Sequence, residues 1–219
     1  MSTTVGQITE SLFGRIRREL LCILLLNPER PFFLLELVAL LQTGRGGVQR
    51  ELASLSESGL AFRERAGSRT YYRASPDALL IRELTALLRA AADPGRLISE
   101  FITRLDDSVA FAYRSPASMD SAGRPVIELL VAGIIPAADL RIGLERVELL
   151  SGSCIREILV IPEGLGAFLI ENRGASWLEP EGGFLLRGAW PEAEAAEARI
   201  PMPGQQPDLF SAMGLDWDL

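Results

Sequence analysis

Apolar residues recur at helical spacing through the first ninety positions. Ile8, Leu12, Ile16, Leu20 and Ile23 share one face of a helix predicted over 8–26 and ended by NPERP. FFLLELVALL, residues 32–41, is almost wholly apolar and predicts a short helix buried between neighbours. RGGVQRELASLSESGL then places Val48, Leu52 and Leu55 on one helical face, with Gly59 as the stop. LAFRERAGSRTYYRA predicts a hairpin turning at AGS, and of the consecutive Tyr71 and Tyr72 at least one must face inward. SPDALLIRELTALLRAA predicts a helix with Ser75 as N-cap and Pro76 at its first position. Its apolar face runs through Leu80, Leu84, Leu87 and Leu88.

The second half changes pattern. DPGRLISEFITRLD, residues 93–106, predicts a helix with Ile98, Phe101, Ile102 and Leu105 inward. A strand (SVAFAYR), a polar turn, a strand (VIELLVA), a helix (AADLRIGLERVELLS) and a strand (REILVI) follow. GLGAFL, residues 164–169, lacks the third glycine of a dinucleotide fingerprint and reads as a turn. Trp177 and Trp190 read as core anchors. Residues 191–219 hold one Arg and six acids, with three prolines besides Pro191, which predicts an extended chain up to Gly204. The expected organisation is a first domain over 1–92, a second over 93–190 and a flexible acidic tail over 191–219.

Composition narrows the chemistry. The chain contains no histidine, and all 22 of its cationic side chains are arginine. A Ser–His–Asp triad, a P-loop lysine and a Schiff base are therefore impossible. Two distant cysteines, Cys22 and Cys154, make neither a zinc set nor a disulfide framework. Carboxylates holding a cation such as Mg²⁺ are the remaining catalytic apparatus. No apolar run reaches the ~20 residues of a membrane span, and the N-terminus lacks the order of a signal peptide, so a cytoplasmic location is expected. The net charge of −7 is uneven: residues 1–92 carry 12 Arg and 9 acids, residues 93–219 carry 10 Arg and 20 acids. A basic face for phosphates would lie in the first part.

The order helix–helix–helix–hairpin–helix, with the run VQREL…GL…RERAGSRTYYRA, resembles the winged helix-turn-helix of ArsR-type transcriptional regulators, in particular a subgroup fused to a minimal nucleotidyltransferase domain. The likeness covers about residues 9–92. It implies double-stranded DNA as partner and a homodimer joined through the first helix and the helix at 76–91. The residues agree with it. Gly44, Gly46 and Gly47 let a backbone approach DNA, while Arg45, Gln49 and Arg50 can reach base edges. Arg63, Arg65, Arg69 and Arg73 alternate along the hairpin and suit phosphates. Six arginines face three acids (Glu51, Glu57, Glu64) over residues 44–73, which favours nucleic acid over a merely solvated surface.

The β-β-α-β order after residue 107 resembles the start of a minimal nucleotidyltransferase core. Active members carry Gly-Ser after the first strand, closing over the triphosphate, and Asp-x-Asp on the second, holding Mg²⁺. Here the corresponding positions read Arg114-Ser115, followed by Pro116, and Val126-Ile127-Glu128, while the third strand offers only Glu157. A catalytically inactive relic is expected, serving dimerisation, sensing or partner docking, with no catalytic residue, metal or cofactor. An active nucleotidyltransferase is the less favoured alternative.

In the tail, QPDLF resembles the short peptide with which bacterial replication and repair proteins bind the sliding clamp. Leu209 and Phe210 would enter an apolar pocket and Gln206 would hydrogen-bond at its rim. A clamp-associated DNA-binding factor recruited through this motif is thus the first alternative, ahead of an active nucleotidyltransferase. The expected fold class is α+β: an N-terminal winged helix-turn-helix, a small nucleotidyltransferase-like mixed α/β domain and an extended acidic tail.

Overall fold

Leu20 to Leu26 leave no polar stripe on their helix, and a helix apolar all round must be covered all round. In the computed structural model, which describes residues 5–178 and 183–191, this segment is the central helix α2 (Arg15–Leu26) of a mixed α+β protein. The helix expected over 8–26 is two helices. Gly14, at φ 68° and ψ 163°, breaks it into α1 (Val5–Phe13) and α2, a conformation that a residue with a Cβ rarely adopts. The break turns α1 over: Thr9 is buried, while Ile8 and Leu12 face outward with Val5.

Around α2 stand α3 (Leu34–Leu41), α4 (Arg45–Glu57) and α5 (Ile81–Ala91), with a small antiparallel sheet. That sheet has the order β1 (Phe32–Phe33), β3 (Arg69–Ala74), β2 (Ala61–Ala66). Phe32 and Phe33, expected inside a helix, instead pair with Tyr72 and Tyr71. Tyr72 is the inward member of the tyrosine pair. The helix expected from Pro76 starts five residues later. Ser75–Ala78 closes a turn, and Leu80 enters the left-handed region at φ 61° ahead of Ile81. Leu80 is therefore exposed rather than on the apolar face.

α6 (Pro94–Arg104) opens as the cap residues dictate, with Asp93 Oδ1 accepting from the Arg96 amide at 3.0 Å and Pro94 in the first turn. Next come β4 (Val109–Arg114), β5 (Ser118–Met119), β6 (Pro125–Gly133), α7 (Ala137–Ser151), β7 (Cys154–Val160), α8 (Leu165–Glu171) and β8 (Phe184–Arg187). β6 pairs antiparallel with β4 and β5 and parallel with β7, and β4 also pairs antiparallel with β8. GLGAFL, read as a turn, is mostly α8: Leu165 is buried and draws the segment onto the sheet. A bulge between Val109 and Phe111 sends these two residues to opposite faces. Val109, Ile127, Leu129 and Val131 meet α6 and α7, whereas Phe111, Tyr113 and Leu130 meet α8, Trp177 and Trp190. The Trp190 ring stands edge-on to Phe111 and Tyr113 at 5.3 and 5.1 Å.

α7 joins the two halves. Leu140, Leu144 and Val147 belong to the core of the larger sheet, but Leu149 and Leu150 belong to the core around α2. Asn27 Nδ2 donates to the Leu149 carbonyl at 2.9 Å, Arg146 Nε donates to the Leu40 carbonyl at 2.5 Å, and Arg30 bridges Glu36 and Glu145. Among the described residues no helix is long and apolar enough to cross a membrane.

Two predictions follow from this packing. A Cβ at Gly143 would stand 2.1 Å from the Phe101 ring. Gly143→Ala should therefore cost about 1–3 kcal/mol despite alanine's better helix propensity, and Phe101→Ala in the same chain should make the pair non-additive. Urea unfolding of the four variants measures this. Burial pushes the Cys22 thiol up to about 11 from an ordinary 9.0. As pH rises between those values the unfolded thiol ionises while the folded one keeps its proton, so stability should fall across that window. The unfolding free energy of Cys22→Ala should lack that component of the slope.

Candidate nucleic-acid interface

Gly44 precedes α4 in an extended conformation (φ −68°, ψ 139°) and gives the helix no side-chain cap. The Gly47 and Val48 amides donate to the Gly44 carbonyl, and the helix dipole at this end favours an anion. Val48, Leu52 and Leu55 are buried and fix the inner face of α4, while Arg45, Gln49 and Arg50 stand exposed. Gly47 permits close packing on α2: an added Cβ would lie 3.2 Å from Ile16 Cδ1. A Cβ at Gly46 would meet nothing within 4 Å, so that side of the helix start is open.

A contact that the sequence did not single out holds the middle of α4. Arg17 Nε reaches Glu51 Oε2 at 2.6 Å, and Arg17 Nη2 donates to Ser54 Oγ at 3.4 Å. Glu51 had counted only as one acid opposing the basic surface. Its spacing from Arg17 in sequence carries no signal, because the pair forms across two helices.

The hairpin register divides its four arginines. Arg63 is opposite Tyr72 and Arg65 opposite Thr70, so both share the face that carries buried Tyr72, Ala61 and Ala74. Arg73 is opposite Phe62 and Arg69 opposite Ala66, on the other face. Arg73 lies over the Phe62 ring at 5.1 Å and Arg69 over Phe33 at 5.2 Å, which restrains both side chains. Among the described residues, none of the side chains of Arg45, Gln49, Arg50, Arg63, Arg65, Arg69 and Arg73 makes a hydrogen bond or ion pair.

The second set of sequence candidates sits where β4 leaves β6. Ser115 is buried, its Oγ accepting from the Glu128 amide at 3.0 Å and donating to the Pro116 carbonyl at 2.9 Å. Its hydroxyl thus serves the strand junction. Glu128 Oε1 faces Arg156 at 3.1 Å across the parallel pair, and Glu157 is bound by Arg141 at 2.7 Å, which also holds Glu148. Arg114 lies over the Phe184 ring at 3.8 Å, and burial lowers its proton affinity with Asp93 opposing the shift. A Cβ on Gly95 would strike this guanidinium, so α6 approaches it closely. No three carboxylate or thiol side chains converge as a metal set among the described residues.

Gln206, Leu209 and Phe210 lie outside the described residues. No family model, no curated protein and no solved structure matches the chain.

Proposed function

We propose that the chain is a DNA-binding transcriptional regulator of the winged-helix type, acting in the cytoplasm, with α4 entering the major groove of a duplex and the β2–β3 hairpin flanking it. One observation carries this reading: Arg45, Gln49 and Arg50 are exposed and unpaired over the first two turns of α4, a helix that Val48, Leu52 and Leu55 fix against the core. Desolvating an arginine already committed to a carboxylate would cost binding energy, and these arginines carry no such commitment. Arg and Gln are the side chains that pair bidentately with guanine and adenine edges. Arg63 and Arg65, free of the aromatic contacts that hold Arg69 and Arg73, are assigned to phosphates.

The regulator is a homodimer in this reading, joined through α1. Its apolar residues Val5, Ile8 and Leu12 face away from the core, Leu12 at 65% exposure, although the helix is amphipathic. The half built on β4–β8 is assigned no transferase activity. Its two candidate metal-holding carboxylates, Glu128 and Glu157, are ion-paired to arginines, and the side chain of the neighbouring Val126 carries no oxygen. It serves dimerisation, sensing or docking.

Fluorescence anisotropy on a duplex from the flanking genomic region tests the DNA reading. Arg50→Ala should weaken specific binding roughly 5- to 150-fold and relax base preference at one position. Arg65→Ala should weaken binding to all sequences alike and reduce the salt slope by about one. Glu128→Ala should bind as the parent does. Binding that an unrelated competitor abolishes in every variant contradicts the proposal. In sedimentation, Leu12→Glu should convert a dimer to a monomer, and an unchanged dimer contradicts the role of α1.

A further inference from the structure

A second group of arginines surrounds a concave space. A cavity of about 460 Å³ lies between α2, α5, α6 and α7, within the roughly 300–1,000 Å³ of small-molecule sites. Arg15 and Arg18 reach it from α2, Arg96 and Arg104 from α6, and Arg146 from α7. Three helices from both halves of the chain thus bring guanidinium groups to one space.

The local carboxylates neutralise only part of this charge. Glu100 is taken by Arg96 at 2.7 Å, Asp93 caps α6, and Glu19 lies 3.6 Å from Arg146 with its Oε2 buried and lacking a hydrogen bond. Five guanidinium groups against these three acids leave an excess of two positive charges in the lining. Among the described residues Arg15, Arg18 and Arg104 have no ion pair or side-chain hydrogen bond, and Arg18 Nε is buried without an acceptor. Such a donor is costly unless an acceptor is supplied from outside. Burial lowers the proton affinity of Arg146; Glu19 offsets part of this, and the nearby Arg104 and Arg15 charges add to it. Like charges gathered in a partly desolvated cleft are relieved by an anion. Leu88, Leu97 and Leu150 form an apolar flank to the same cavity.

We propose that this cavity binds a small phosphomonoester, with its phosphate held by Arg15, Arg18, Arg104 and Arg146 and its organic part against Leu88, Leu97 and Leu150. A phosphate dianion matches the excess of two charges. Its three terminal oxygens are grouped at one point, where planar forks arriving from different helices can each bind. A linear dicarboxylate spreads the same charge over two ends. The site is separate from the exposed arginines of α4 and the hairpin, and it stands whether or not the chain binds DNA.

Titration calorimetry and thermal unfolding of the full chain, with AMP, glycerol 3-phosphate and succinate as probes, test this. At least one phosphomonoester should bind one per chain with Kd below ~1 mM, raise the unfolding temperature, and bind at least about tenfold more tightly than succinate. Arg15 and Arg104 are exposed, so Arg15→Gln/Arg104→Gln should fold normally, with an unchanged ligand-free unfolding temperature, and lose about tenfold or more in affinity. Arg45→Gln/Arg65→Gln should bind the probe as the parent does. No binding of either phosphomonoester at ~10 mM, succinate binding as tightly, or full affinity in Arg15→Gln/Arg104→Gln would each overturn the proposal.

Discussion

The fold is arranged around one constraint, that the apolar segment Leu20 to Leu26 of α2 must be covered on every side. Fully burying a leucine side chain is worth about 1.5–3 kcal/mol, so leaving one flank of this helix in water would remove much of a small domain's net stability. α4, α5 and the small sheet supply cover from the first half of the chain. Leu149 and Leu150 supply it from α7, whose first turns belong to the core of the larger sheet. Asn27 satisfies the Leu149 carbonyl at this junction, and Gly152 at φ 66° lets the chain leave α7 beside Leu26. The two halves therefore share a core rather than merely touching.

A chain whose only cations are arginines must place many guanidinium groups, and the structure sorts them by partner. Arg17, Arg30, Arg141 and Arg156 are tied to carboxylates and position helices and strands. Arg114 is half-buried against Phe184 and the start of α6. Arg45, Arg50, Arg63 and Arg65 are exposed and uncommitted, the condition in which a cation can be spent on an external phosphate. The cleft arginines form a third class, gathered around one concave space and only partly paired. Planar forks with free donors suit recognition of phosphate groups in both of these classes.

Elements with strong local signals were legible in the sequence. α4 carries its inner face at Val48, Leu52 and Leu55, the hairpin alternates, and α6 carries its own at Ile98 and Ile102. The failures occurred where tertiary structure overrode local pattern. Apolar periodicity continues through Gly14, so the break there is visible only as a backbone angle. Phe32 and Phe33 look helical but are claimed by β3, and Leu80 is apolar yet turned outward by its own left-handed conformation ahead of α5. α8 is short, and its cue was masked by two glycines. At the candidate interface Gln49 and Arg50 lie off the buried stripe of α4, whereas Arg45 continues that stripe and is exposed because it starts the helix. The division of the hairpin arginines between two faces depended on the register. The arginine cleft joins positions as distant as Arg15 and Arg146, which no sequence window brings together.

Selection of bound duplexes from a random pool tests the central claim most directly, because it assumes no target. The account predicts enrichment of a two-fold symmetric sequence whose half-sites lie about one helical turn, roughly 34–36 Å, apart, with enrichment lost in the chain carrying Arg45→Ala, Gln49→Ala and Arg50→Ala. A pool that remains random after repeated selection, or the same enriched sequence recovered by the triple variant, would contradict it.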